Sequence, residues 1–259
     1  MVNLRLAILS DIHGNADALD AALCMIKKKG VDFTIVLGDL LTYGCQPRDV
    51  LYKLVQFCGK NDCVFIKGNH DQFYFDMCAS GIGDHYDMPD FIRESIEWTA
   101  SQIVSNELIK MFSWCDSYAI GNVYFAHANP YGYGDWQYVD KTGQCIDAAE
   151  SLRSRGYVLG VFGHLHRKKA ISIDRARNVS LLETGKLPTN SDKIFILNPG
   201  SVGQPRGEGF SFMFVNIEAN KISYDFSDLN FDVNNSIRLI NASVMSDQTK
   251  NKIISYLRS

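Results

Sequence analysis

Carboxylate, amide and imidazole side chains fall in five short blocks of this chain: Asp11-Ile12-His13, Gly38-Asp39, Gly68-Asn69-His70-Asp71, His127 and Gly163-His164-Leu165-His166. These blocks hold five of the six histidines. Oxygen and nitrogen donors in that mix suit first-row transition metals, and their number suits a hydrolytic centre with two cations. A lone His-x-His would carry little weight, whereas five blocks that each close a strand-like run are hard to obtain by accident. So many imidazoles disfavour Ca²⁺. The expected occupants are two divalent transition-metal ions, with Mn²⁺ put first and Fe, Zn²⁺ or Ni²⁺ as alternatives; the donor types suit all four. His85, the sixth histidine, stands in Gly83-Asp84-His85-Tyr86-Asp87 and reads as a solvent-facing loop residue.

Something must bring these blocks together. Residues 4–9, 33–37 and 63–66 are short apolar runs, and helical periods over 17–29 and 47–57 separate them. Helical crossovers of that length imply parallel strands in a covered sheet, whose carboxyl ends form the ligand crevice. Further strands are expected at 123–126 and 158–162, with a helix at 146–155 between them. Residues 88–114 carry a buried helical stripe that includes Phe91, Ile96 and Leu108, marking a helical insertion at about 73–115. Trp98 and Trp114 read as packing residues within it. From Lys169 onward, strand-like runs at 170–173, 179–183, 194–197, 210–217 and 221–226 suggest a second, mainly antiparallel or mixed sheet. The expected fold is α/β: a four-layer α/β/β/α sandwich of two mixed sheets with flanking helices, forming one domain over 1–259. A last surface helix is expected at 244–257.

Composition narrows the partners. With 259 residues, 46% of them hydrophobic, the chain can bury a large core. A net charge of -3, with only Lys27-Lys28-Lys29 and Arg167-Lys168-Lys169 as basic clusters, is too little for a nucleic-acid duplex. The lysine triplet precedes Gly30 and fits a helix C-terminus. No stretch is apolar enough to span a bilayer, and residues 1–6 show no secretory leader, so a cytoplasmic protein without a membrane partner is expected. A homo-oligomer stays open. Seven cysteines without a Cys-x-x-Cys pair argue against a disulfide framework or a thiolate zinc site. Cys24, Cys58, Cys63 and Cys115 lie in apolar surroundings and are expected as small core residues.

The ordered blocks Asp-x-His, Gly-Asp, Gly-Asn-His-Asp, His and Gly-His-x-His resemble the calcineurin-like metallophosphoesterase superfamily over nearly the whole chain. Tyr43-Gly44 with Pro47, Glu97-Trp98-Thr99 and Asn198-Pro199-Gly200-Ser201-Val202-Gly203-Gln204-Pro205-Arg206 resemble its small prokaryotic phosphoesterase branch. The resemblance implies that Asp11, His13 and His166 hold one metal, that Asn69, His127 and His164 hold the other, and that Asp39 bridges both. Such a pair of cations activates a shared water as a bridging hydroxide for in-line attack on phosphorus. It also implies that His70 protonates the leaving oxygen, with Asp71 orienting it and raising its pKa. The alternative for His70 is a supporting hydrogen bonder.

Two departures shape the substrate expectation. The protein-phosphatase branch of this superfamily carries an arginine shortly after the Gly-Asp block, whereas residues 40–43 contain none, and the position after Asn-His is Asp71, not glutamate. Ala128-Asn129-Pro130 follows His127 where relatives often have Gly-Ser-Pro. A phosphodiesterase acting on small nucleotide-like substrates is therefore favoured. The alternatives are a phosphomonoesterase or protein serine/threonine phosphatase, and a non-catalytic scaffold on the same fold. Asn198 to Ser201 are expected to position the ligand loops, while Arg206 reads as an exposed loop residue with no special claim. The aromatic rim Tyr131, Tyr133, Trp136 and Tyr138 is either a lip that stacks on a flat leaving group or a loop packed on the insertion.

Overall fold

In the computed structural model, the described residues are 3–80, 88–103, 108, 110–182, 185–188, 191–218 and 221–258. His85, Val104, Ile109 and Glu183 lie outside them, so the expectations that touch those residues are not addressed.

β1 (Leu4–Leu9) is buried on both faces because its alternate residues serve two cores. Leu6 and Ile8 point into the space between the two sheets, whereas Ala7 and Leu9 pack under helices. Crossover helices α1 (Ala16–Lys29) and α2 (Pro47–Cys58) lead to β2 (Phe33–Val36) and β3 (Cys63–Ile66), which pair in parallel with β1 and with each other. The Asn15 side chain caps α1 by accepting from Ala18 N, and Gly30 closes it at φ 67° after the lysine triplet. Pro47 opens α2, where its missing N–H costs nothing.

α3 (Asn69–Ser80) and α4 (Asp90–Gln102) follow β3. Ile103 then turns to an extended conformation, and Trp114–Cys115 form β4, paired in parallel with Phe65 and Ile66. The expected helical stretch at 88–114 is thus shorter at its end, and Trp114 is a strand residue. Its ring still packs in the core beside Phe65 and Phe112.

The remaining strands are β5 (Ser117–Ile120), β6 (Val123–Ala126), β7 (Leu159–Phe162), β8 (Lys168–Ile173), β9 (Val179–Leu181), β10 (Gly185–Pro188), β11 (Ile194–Pro199), β12 (Ser211–Glu218) and β13 (Lys221–Asp228). One mixed sheet runs β10-β13-β12-β1-β2-β3-β4 and the other β5-β6-β7-β11-β8-β9. β12 and β13 therefore return to the first sheet instead of building the second, and β6 and β7 cross to the second. Inward residues of both sheets, among them Ile35, Ile66, Phe125, Val161, Leu197, Met213 and Val215, form the core between them. α5 (Thr142–Ser154) covers the outer face of the second sheet through Cys145, Ala148, Ala149 and Leu152. Helix, sheet, sheet and helix give the expected four layers.

At the C-terminal end, the helix expected at 244–257 is present as α7 (Asp247–Leu257), and α6 (Val233–Ala242), which was not expected, precedes it. Ser246 caps α7, and Ser243 to Ser246 form the break between the helices. Their apolar faces pack with Tyr43, Phe91 and Trp98, which joins them to α4. Cys145 is buried and Cys58, Cys63 and Cys115 are half-buried, but Cys24 is exposed on α1, contrary to expectation. No helix among the described residues is long and apolar enough to cross a membrane.

Candidate metal centre

Each chemical block begins where a strand ends. β1, β2, β3, β6, β7 and β11 all release their chains at one end of the two sheets, and the loops there are laced together. Asp11 N donates to Gly38 O at 3.1 Å, His13 N to Asp39 O at 3.0 Å, Gly163 N to His127 O at 2.7 Å and Gly203 N to Asp11 O at 3.0 Å. The glycines permit this proximity: a Cβ on Gly68 would meet Asp39 Oδ1 at 2.1 Å, and one on Gly163 would meet Ser10 Oγ at 2.0 Å. Asp11, His13, Asp39, His164 and His166 all have positive φ, between 46° and 63°. Residues with side chains rarely adopt that conformation, so the surrounding loops must hold it against an intrinsic cost.

The side chains converge into two clusters that share one residue. Donor atoms of Asp11, His13, Asp39 and His166 lie within 4.8 Å of one another, as do those of Asp39, His127 and His164. His13 Nε2 is 3.2 Å from His166 Nε2 and 3.7 Å from Asp39 Oδ2. On the other side His127 Nε2 is 3.4 Å from Asp39 Oδ2, 3.3 Å from His164 Nδ1 and 3.1 Å from Asn69 Oδ1. All except the half-buried Asn69 are buried.

The outer ring nitrogens explain the orientation. His13 Nδ1 donates to Leu41 O at 3.0 Å, His127 Nδ1 to Leu37 O at 2.7 Å, His166 Nδ1 to Gln204 O at 2.6 Å and His164 Nε2 to Trp136 O at 3.0 Å. A carbonyl can only accept, so each bond fixes a proton on the outer nitrogen and leaves the inner one to present a lone pair. Lone pairs facing one another in a buried space repel. Asp11 Oδ1 and Asp39 Oδ2, which face the same space, accept no hydrogen bond although they are buried.

This donor set fits a pair of divalent cations, which would satisfy the orphaned carboxylate oxygens and the opposed imidazoles together. Without cations a proton settles on His127, whose inner nitrogen then turns an N–H, in place of a lone pair, toward Asp39 Oδ2. Burial would lower the affinity of His127 for its proton, but Asp39 outweighs that and pushes its pKa up to about 9. Burial would likewise raise Asp39, yet the charge of His127 beside it holds it well below the usual carboxylate range. Burial pushes His164 down to about 3, helped by the neighbouring His127.

The sequence profile of the calcineurin-like phosphoesterase superfamily domain matches residues 4–220, most of the chain and every residue of the two clusters. The chain belongs to this superfamily. An uncharacterised protein of Methanocaldococcus jannaschii is 31% identical over 211 residues, covering 80% of this chain and 79% of that protein. A metallophosphoesterase from Sphaerobacter thermophilus superposes with a TM-score of 0.71 at 22% identity, covering 98% of this chain and all of its own. A hypothetical protein of Pyrococcus horikoshii reaches 0.74 at 15% identity, covering 96% and 97%. At these identities the two structures speak for the fold. Superfamily membership makes the chain a metallophosphoesterase, a hydrolase of phosphoric ester bonds.

Within this metallophosphoesterase, His70 and Asp71 are arranged differently from the expectation. Asp71 does not orient His70. Its carboxylate accepts from Asp39 N at 2.7 Å, Gly68 N at 2.9 Å and Leu40 N at 3.0 Å, tying the Gly-Asp loop to the start of α3. Nor is the His70 pKa raised: burial lowers it to about 4 against the pull of Asp39. His70 Nε2 lies 3.3 Å from the Tyr43 hydroxyl, and Nδ1 is buried without a partner. The expected positioning loop is present. Asn198 Nδ2 donates to Gly163 O at 2.6 Å, and Ser201 Oγ to Asp11 O at 2.8 Å.

The aromatic rim is packed on the site and on the start of α3. Tyr138 stacks on His164 with centroids 4.4 Å apart, Trp136 meets His127 edge-on at 5.9 Å, and the Tyr133 hydroxyl donates to Gln72 of α3. Tyr131 remains exposed. Sequence reasoning set aside Arg206 and missed Tyr43. Arg206 is half-buried and touches Tyr138, and only its place immediately after the Gly-Ser-Val-Gly-Gln-Pro loop could have marked it.

Proposed function

We propose that this chain is a dinuclear-metal phosphodiesterase acting on small, nucleotide-like phosphate esters. The observation that carries the metal part is the orphaning of Asp11 Oδ1 and Asp39 Oδ2 opposite imidazole nitrogens whose outer protons are committed to carbonyls. In this reading Asp11, His13 and His166 hold one cation, Asn69, His127 and His164 hold the other, and Asp39 serves both. When bound, such cations supply Lewis-acid stabilisation of the phosphoryl oxygens and make a nucleophile available at neutral pH.

The chain's own residues do the rest. His70 borders the site from the Asp39 side, because its backbone N donates to Asp39 Oδ1 at 2.8 Å. Burial keeps its imidazole neutral, so it has one N–H to offer a leaving oxygen as negative charge develops there. Tyr43 restrains the ring through Nε2. Asp71 acts at one remove, by holding the backbone of Asp39 and Leu40. Trp136 and Tyr138 steady His127 and His164 from the outside.

Preference for diesters rests on the 40–43 segment, Leu40-Leu41-Thr42-Tyr43, which is buried and has no cationic side chain to meet a monoester dianion. The mixed carboxylate, amide and imidazole set suits Mn²⁺ as it suits Fe, Zn²⁺ and Ni²⁺, and Mn²⁺ is the ion to supply first. Rates on bis-p-nitrophenyl phosphate and p-nitrophenyl phosphate, measured with added Mn²⁺, test both parts. Faster turnover of the diester is expected. Faster release from the monoester overturns the diester preference, and metal-loaded protein inert to both esters would favour a scaffold.

A further inference from the structure

Arg206 is a half-buried cation that pairs with no carboxylate among the described residues. Its main chain is fixed beside the metal centre: Arg206 N donates to His166 O at 3.0 Å, and its carbonyl accepts from Arg167 Nε at 2.6 Å. Its guanidinium lies among aromatic rings. Nη1 donates to the Tyr138 hydroxyl at 3.3 Å, and Cζ is 5.6 Å from the Tyr256 ring centroid. The group is also close enough to Tyr43 and His70 for its charge to act on both.

No carboxylate offsets that charge, since none of the ion pairs among the described residues includes Arg206. Its Nε is buried and has no hydrogen-bond partner among the described residues. A guanidinium taken out of water and left with donors unused is costly unless an anion arrives to meet it. Guanidinium forks are suited to phosphate oxygens, and aromatic faces hold them in place at low entropic cost. Two of the surrounding rings lead directly to site residues. Tyr138 stacks on His164, and the Tyr43 hydroxyl meets His70 Nε2.

We infer that the Arg206 guanidinium binds a non-bridging oxygen of the substrate phosphate, supplying from the loop after β11 the clamp that residues 40–43 lack. Tyr138 is a positioning residue for it. The inference rests on the phosphoesterase reading above and deepens it by naming a protein cation for the substrate phosphate, whether monoester or diester.

The test is calorimetric titration of inorganic phosphate into the metal-loaded full chain, for wild type, Arg206→Gln, Arg206→Lys and Tyr138→Phe, with metal content and melting temperature measured for each. Arg206→Gln should weaken phosphate binding at least ~10-fold at unchanged metal content. Arg206→Lys should restore part of that loss, since the charge returns without the fork. Tyr138→Phe should weaken phosphate less, because the His164 stack survives while one hydrogen bond to the guanidinium is lost. In diester kinetics the Arg206→Gln loss should fall mainly on KM. Equal phosphate affinity in wild type and Arg206→Gln overturns the inference, whatever the catalytic activity. A wild type that binds phosphate through Arg206 yet hydrolyses no ester would instead sink the phosphoesterase reading and leave the clamp standing, and a wild type that binds no phosphate removes the clamp.

Discussion

Asp39 Oδ2 lies 3.4 Å from His127 Nε2 and accepts no hydrogen bond, although it is buried at the junction of both donor clusters. Its other oxygen accepts from His70 N at 2.8 Å, so the carboxylate cannot turn away without breaking that bond. Asp39→Asn removes the negative charge common to both halves. We expect metal content to fall below one ion per chain by elemental analysis, with the fold intact by circular dichroism. The loss should exceed the ~10–100-fold in affinity that removing a mere supporting group costs. Retention of two ions per chain would show that Asp39 serves neither.

His70 contacts the site without belonging to either donor cluster. His70→Ala should leave metal content unchanged and slow esters of poor leaving groups by about 10²–10⁴, with much smaller effects on activated aryl esters. The comparison of an alkyl and a nitrophenyl diester reads this directly. An equal loss on both would remove His70 as the hydrogen-bond donor to the leaving oxygen.

Asp71 is a buried strut. Three backbone N–H groups point at its carboxylate, and Asp71→Ala would leave all three without an acceptor. We expect a loss of about 3 kcal/mol or more in unfolding free energy, measured by urea denaturation. Asp71→Asn should recover only part, because its amide NH₂ would face N–H donors. A variant as stable as wild type would mean that these loops hold themselves.

Glu94 ties α4 to the C-terminal helices. Its carboxylate accepts from Ser246 N at 2.5 Å, Ser246 Oγ at 2.7 Å and Thr249 Oγ1, at the N-terminus of α7. Partial burial would raise its pKa, but the Thr249 and Ser246 bonds outweigh it and lower it below the ordinary value. A depressed folded-state pKa means that this contribution is present above the ordinary glutamate range and is lost as pH falls through the lowered value. Glu94→Ala should cost roughly 1 kcal/mol at neutral pH after solvent screening. That difference should shrink as urea melts are taken to lower pH below about 4, and a pH-independent difference would contradict the assignment.

Legibility followed sequence distance. Asp11, His13, Asp39, Asn69, His127, His164 and His166 could be picked out because each closes a local apolar run, and parallel strands deliver such positions to one edge. Strand partnership was not readable in the same way. β12 and β13 alternate much like any half-covered strands, and nothing local says that β12 pairs with β1 instead of β11. Asp71 was misplaced because a neighbour in sequence looked like the natural partner of His70, while its real partners are backbone groups around Asp39 and Leu40. Arg206 was passed over for a related reason: its meaning comes from Tyr138 and Tyr256, which only the fold brings near. Cys24 sits in an apolar stretch of sequence but on the outward side of α1, where a small error in helical phase reverses the burial.

The central claim is that seven named side chains enclose two cations. Crystals of the full chain grown or soaked with Mn²⁺ and measured on both sides of the manganese absorption edge test it most directly. The account predicts two anomalous peaks, one bounded by Asp11, His13 and His166, the other by Asn69, His127 and His164, with Asp39 touching both. A map with no peak in that space, or with manganese bound elsewhere while those side chains stay empty, would contradict it.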